Sequence, residues 1–215
     1  MPDLPEPPGP HVPDARRYAP AVARNRDAIR DALLSRLPER GAVLEIASGT
    51  GEHGTHLTAA APGLRWTYSD PDPDSRASQK AWADAARHGR LLGPLAIDAC
   101  AADWSALGGE TFDAVFCANM VHIAPFAAAE GLITGARRHL TPGGLLVLYG
   151  PFARNGDIAP SNQAFSDSLT ARAPDWGVRD LDLDIIPVAN RHAFALDTVI
   201  PMPANNLMVL FQSQA

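Results

Sequence analysis

Apolar positions follow two periods that alternate along most of the chain. From Pro20, the residues Val22, Ile29, Leu33 and Leu37 recur on one face, which predicts an amphipathic helix stopped by Pro38. The short apolar run Ala42 to Ala47 predicts a strand. Ser48-Gly49-Thr50-Gly51-Glu52-His53-Gly54 follows it and opens a second helix running to about Ala61, with Pro62-Gly63 as the breaker. Leu64, Trp66 and Tyr68 alternate into a second strand that ends at Ser69-Asp70. Asp72 then reads as an N-cap with Pro73 at the first helical position, opening a helix closed by Gly89.

The alternation repeats further on. Leu95 to Ile97 predicts a third strand ending at Asp98, and Ala114 to Ala118 a fourth, preceded by Phe112-Asp113. Pro125 to Leu140 reads as a helix, after which Pro142-Gly143-Gly144 turns into the strand Leu145 to Tyr149. Strands alternating with helices in this way predict a parallel sheet covered on both faces. Past Pro151 the rhythm changes: Ser161 caps a helix reaching Arg172, and Trp176 to Asn190 has no assignable period. Phe194 to Ile200 and Leu207 to Phe211 read as two closing strands. The link Pro201 to Asn206 is too short for a helical crossover, so these two are antiparallel.

Composition narrows the setting. A chain of 215 residues, 46% hydrophobic and 20% charged, is an ordinary single globular domain. Residues 1–14 are proline-rich and are expected to form a disordered tail, leaving 15–215 as the domain. The amino-terminal segment lacks the apolar stretch of a signal peptide, and no run approaches the ~20 apolar residues of a membrane span. A soluble, cytoplasmic protein is expected, and the two cysteines cannot make a disulfide framework. The net charge of −6 argues against a partner bound through phosphates.

Candidate chemistry starts at the glycines. Gly49-x-Gly51-x-x-Gly54 lies between a strand and a helix, where glycine permits a tight turn and close backbone approach to a nucleotide-like ligand. Asp70 ends the second strand, where a carboxylate can accept both hydroxyls of a ribose, and Asp98 ends the third, placed to accept from an adenine amino group. Helix N-capping is the alternative for both acids. A dinucleotide and S-adenosylmethionine both fit such a crevice. Glu45, in the first strand just before the glycines, would repel a pyrophosphate and accept an ammonium group, which favours the second.

These residues carry a resemblance. Val43-Leu44-Glu45-Ile46-Ala47-Ser48-Gly49-Thr50-Gly51, Phe112-Asp113-Ala114-Val115-Phe116 and Pro142-Gly143-Gly144 resemble the motifs of class I, seven-strand methyltransferases. Ala47 departs from the pattern, since that family more often has glycine there. Ala47-Ser48-Gly49-Thr50-Gly51-Glu52-His53, Asn119-Met120-Val121-His122-Ile123, Met202-Pro203-Ala204-Asn205-Asn206-Leu207 and Ala23-Arg24-Asn25-Arg26 are similar to the methyltransferase-like 26 family. The resemblance implies a Rossmann-like three-layer sandwich with a mostly parallel seven-stranded sheet and an antiparallel C-terminal hairpin strand. It implies S-adenosylmethionine as cofactor and S-adenosylhomocysteine as product. Glu45, Ala47, Ser48, Gly49, Thr50, Gly51, Asp70, Asp98, Ala99, Asn119 and Met120 are the expected cofactor contacts.

Methyl transfer needs an aligned nucleophile more than an acid. The acceptor is expected over the ends of strands four and five, with Tyr18, Asn25, His122, Tyr149, Phe152, Asn205 and Asn206 as substrate contacts. His122 is the general-base candidate and Tyr149 the second catalytic one; a neutral structural histidine and a strand-end aromatic are the alternatives. Asn205 and Asn206 also suit a turn. The helix from Pro20 is a candidate lid. His53 and His56 have no third ligand in view, so no metal is expected. Ala118-Asn119-Met120-Val121 lacks the Asn-Pro-Pro-aromatic sequence common among enzymes methylating base amines, so a small molecule is the expected acceptor. Two other functions remain open: an NAD(P)-dependent oxidoreductase, and a cofactor-binding module without turnover.

Overall fold

The computed structural model describes residues 14–101 and 104–214. The proline-rich tail expected over 1–14 lies outside the described residues except for Asp14. Seven strands form one sheet in the order β3-β2-β1-β4-β5-β7-β6: β1 Gly41–Ile46, β2 Leu64–Ser69, β3 Leu91–Leu95, β4 Phe112–Ala118, β5 Leu140–Gly150, β6 Phe194–Met202 and β7 Asn206–Ser213. β1 to β5 pair in parallel, while β7 runs antiparallel between β5 and β6. The expected α/β class, strand number and reversed closing strand are all present.

Side chains alternate across the pleat, so each central strand supplies two cores. On one face Val43, Trp66, Phe116, Tyr149 and Leu210 pack with Ile29 and Leu33 of α1 (Pro20–Leu34) and Leu57 of α2 (Glu52–Ala60). α3 (Pro73–Ala86) completes that layer. On the other face Leu44, Val115, Leu148 and Phe211 pack with Leu132 and Ile133 of α4 (Phe126–His139) and Val188 of α6 (Ile186–Arg191). α5 (Pro160–Thr170) follows β5.

Several boundaries differ from expectation. β3 lies at Leu91–Leu95, not Leu95 to Ile97, and contains Gly93-Pro94; an edge strand tolerates proline because one side of it needs no ladder bond. Asp98 therefore sits in the following loop. β5 begins at Leu140 and takes in Pro142-Gly143-Gly144, with a register shift against β4 between Phe112 and Ala114. α3 ends at Ala86 with Arg87 left-handed at φ 55°, before Gly89 is reached. Pro160, not Ser161, opens α5, which ends at Thr170. In the unassigned stretch, the Asp180 carboxylate accepts from the backbone N–H groups of Asp182 and Leu183, at 2.8 and 2.9 Å, and starts a wide helical turn into α6. No helix among the described residues is long and apolar enough to cross a membrane.

Candidate functional site

The loop after β1 is built by its neighbours. Ala47, Gly49 and Gly51 all have left-handed backbones, at φ 55°, 54° and 89°. The loop carbonyls are captured from below and beside: Tyr68 Oη donates to the Gly51 carbonyl at 2.6 Å, Ser78 Oγ to that of Thr50 at 2.7 Å, and Gln79 Nε2 to that of Gly49 at 3.0 Å. A Cβ at Gly49 would point into open space, whereas one at Gly54 would fall 2.5 Å from Trp66 and Tyr68. The third glycine thus serves close helix-to-strand packing and the first leaves the loop open to a ligand.

Asp70 closes the turn. Its Oδ2 accepts from the Gly49 N–H at 2.9 Å and its Oδ1 from the Asp72 N–H at 3.0 Å. Desolvation raises its pKa, which those two bonds oppose. Each oxygen retains acceptor capacity, the pair of acceptors a ribose diol requires. Asp72, rather than Asp70, is the N-cap of α3, accepting from Asp74 and Ser75. Asp98 is exposed and accepts from the Cys100 N–H at 2.9 Å, while Ala99 is buried against α4.

Glu45 is sealed beneath the loop at 1% exposure. Its Oε2 accepts from the Trp66 indole N–H at 2.8 Å and its Oε1 lies 3.8 Å from His53 Nδ1. Burial pushes Glu45 up to about 8 and His53 down to about 4, each toward its neutral form. The expected free carboxylate facing an ammonium group is corrected accordingly: Glu45 supports the loop from below. His53 Nε2 pairs with Asn25 Oδ1 at 3.0 Å, and the Asn25 amide neighbours the Tyr149 hydroxyl, whose pKa burial raises. A buried polar chain thus runs from Trp66 to Tyr149, and it ends at a cavity.

That cavity, of about 710 Å³, opens over the ends of β4 and β5. Asn25, Tyr149, Asn205 and Asn206, four of the expected substrate contacts, line it together with Asn119, expected beside the cofactor, and with Arg24, Ile123, Pro151, Asn162 and Phe165. The Asn205 amide donates to Ser161 Oγ and the Asn162 amide to the Asn205 carbonyl, each at 2.9 Å. Those bonds brace α5 against the β6–β7 turn, so Asn205 and Asn206 also shape the wall, Asn206 by donating to the Pro203 carbonyl. Met120 is buried beside Asn119. α5 has a single buried apolar residue, Leu169, which is why its place on the cavity could not be read from its pattern. Arg24 adjoins Asn25 in the recurring Ala23-Arg24-Asn25-Arg26 segment, a signal available in the sequence.

Three expected contacts are corrected. His122 is fully buried, with Nδ1 turned to the Arg179 N–H at 3.4 Å and Nε2 lacking a hydrogen-bond partner. Desolvation lowers it to about 3, and the backbone of Gly150 stands over its ring, so it lies in the core and not on the cavity lining. Phe152 packs edge-on against His122 at 4.7 Å, at 4% exposure, and belongs to the core. Tyr18 is 63% exposed and sits against Trp82 of α3, away from the cavity lining. The expected lid helix is a packed member of its layer through Ile29 and Leu33, and only its first turns wall the cavity. The stretch before it is pinned instead: the Arg17 N–H donates to Ser78 Oγ and the Ala19 N–H to Glu52 Oε2.

Strand order, reversed β7 and a glycine loop opening at the carboxyl ends of the strands define the Rossmann-like fold of class I methyltransferases. An O-methyltransferase family protein from Burkholderia thailandensis superposes with a TM-score of 0.71 at 20% identity, covering 90% of this chain and 60% of its own. Human N-acetylserotonin methyltransferase in complex with SAM superposes at 0.74 and 14% identity, covering 91% and 53%. An O-methyltransferase family 2 protein from Planctomyces limnophilus in complex with apigenin gives 0.72 at 16% identity, covering 90% and 60%. This chain therefore spans little more than half the length of these structures. It belongs to the family described as "Protein of unknown function (DUF938)", whose model matches residues 16–213.

Proposed function

We propose that this protein is an S-adenosylmethionine-dependent methyltransferase acting on a small-molecule acceptor. The observation that carries the reading is adjacency: a glycine loop closed by an acceptor-only carboxylate leaves the end of β1, and Asn119, at the neighbouring end of β4, lines a roomy cavity walled by amides and a tyrosine. The likeness of the sequence to methyltransferase-like 26 proteins supports the same assignment, as do the SAM and apigenin complexes among proteins of this fold.

Asp70 would take the ribose hydroxyls, the Ser48–Gly51 backbone would follow the ligand closely, and Asp98, Ala99, Asn119 and Met120 would flank it. When bound, S-adenosylmethionine would supply an electrophilic methyl carbon, with a neutral thioether as its leaving group. Tyr149, Asn25 and Asn119 orient the acceptor. Positioning of this kind can lower a barrier by ~7–11 kcal/mol, and it is the part these cavity residues would play, with His122 buried off the lining.

Calorimetric titration with S-adenosylhomocysteine, NAD(H) and NADP(H) tests the reading. Binding of the first alone is expected, weakened in Asp70→Ala by about tenfold or more, as loss of charge-assisted bonds worth ~1.5–3 kcal/mol each requires. Binding of a nicotinamide nucleotide in its place overturns the reading, and unchanged affinity in Asp70→Ala removes Asp70 from the site.

A further inference from the structure

The cavity has a chemical polarity of its own. Its described lining contains no carboxylate, in a chain with 24 acidic residues, and a single cation, Arg24. Arg24 is exposed on the cavity side of α1, and its guanidinium makes no ion pair or hydrogen bond among the described residues. Two of the large apolar side chains left exposed, Ile123 at 43% and Phe165 at 42%, stand on the same walls. Arg16, Arg30 and Arg154 each hold an aspartate, and Arg26, Arg65 and Arg87 are as unpaired as Arg24 among the described residues, so what sets Arg24 apart is its place on the cavity wall. An unpaired guanidinium beside exposed apolar side chains is what a ligand with an apolar body and an anionic end would cover.

We propose that the acceptor is an apolar small carboxylate, its body between Ile123 and Phe165 and its anionic end on Arg24. This deepens the methyl-transfer reading and rests on it only for the word acceptor; the binding preference has its own readout. The carboxylate is the anchor that sets the ligand's direction, with the opposite end toward Asn119 and Tyr149.

The test titrates trans-cinnamate and its neutral isostere cinnamamide into the full chain up to millimolar concentration, followed by protein amide shifts, with and without S-adenosylhomocysteine. Wild type is expected to prefer cinnamate several-fold to about tenfold, a tenfold gap being ~1.4 kcal/mol, and the gap is expected to shrink as salt rises. Arg24→Gln abolishes the preference, while Arg36→Gln, whose residue lies with Gly143 at the opposite end of the sheet, keeps it. Phe165→Ala weakens both compounds alike. Equal binding of the two compounds overturns the proposal, as does binding of neither, or a gap that survives Arg24→Gln. If Arg24→Gln instead lowers affinity for S-adenosylhomocysteine and leaves the cinnamate gap intact, Arg24 serves the cofactor's carboxylate and the proposal falls. Failure of S-adenosylhomocysteine to bind wild type, with the cinnamate preference present, removes the methyltransferase reading and leaves an anion-selective cavity.

Discussion

Ala47 occupies the one loop position where this chain departs from the glycine of the class I pattern. The structure holds it at φ 55°, so the backbone keeps the conformation although the residue has a Cβ. A left-handed L-residue costs ~1–2 kcal/mol, and glycine regains part of that while adding ~0.4–1 kcal/mol of unfolded-chain entropy. Ala47→Gly is therefore expected to be neutral or stabilising by up to ~1 kcal/mol, measured by denaturant unfolding. A loss of more than that would mean the methyl packs against something essential. Asn119 at φ 62° is the milder case, since asparagine visits this region more readily.

At the scale of elements, the contact between β5 and the short helical turn Met120–His122 decides what the site contains. Gly150 ends β5 directly over the His122 ring, where a Cβ would stand 2.5 Å from Nε2 and 2.8 Å from Cδ2. Gly150→Ala is expected to destabilise the protein by ~1–3 kcal/mol through overpacking. The cost should disappear in a His122→Ala background, because the ring is the atom group in the way; a double-mutant cycle in urea reads the coupling. An additive result would show that the ring moves freely. Asn25 ties three elements together in the same fashion, linking α1 to His53 of α2 and Tyr149 of β5. Asn25→Ala strands a buried imidazole nitrogen and is expected to cost ~1–3 kcal/mol in the same assay.

For the whole molecule, buried titratable groups predict the shape of stability against pH. His53 and His122, lowered from 6.5 to about 4 and about 3, stay neutral in the fold but are charged in the unfolded chain below 6.5. Their contribution makes stability rise as pH climbs toward 6.5. Glu45, raised from 4.5 to about 8, keeps its proton in the fold while the unfolded chain has lost it, so its contribution falls between those values, and Asp70 acts in the same sense. On the acid side the rise from His53 and His122, joined by His88, which burial also lowers, outweighs the fall from Glu45 and Asp70, and only the falling ones act above 6.5. Thermal unfolding is expected to peak near pH 6.5, with Glu45→Gln flattening much of the alkaline decline. A plateau from 6.5 to 8 in the wild-type chain would mean Glu45 is ionised in the fold.

Periodicity carried the class of fold and the strands themselves, because each central strand is an apolar run and each helix face repeats its own spacing, and the short Pro201–Asn206 link carried the reversed last strand. The glycine loop and Asp70 were legible too, since local backbone needs dictate residue type there. Tertiary structure alone decided which polar residues meet. Asn25 and Tyr149 lie far apart along the chain, and nothing local distinguishes their contact from the expected one between Tyr18 and the cavity. His122 had the right chemistry and the right position after β4, yet Gly150 seals it in the core. α5 joined the wall through amide and hydroxyl bonds to the β6–β7 turn, which leave no hydrophobic period to read. Burial and ring orientation are properties of packed layers, and a one-dimensional pattern of apolar positions records which faces are covered but not what stands over them.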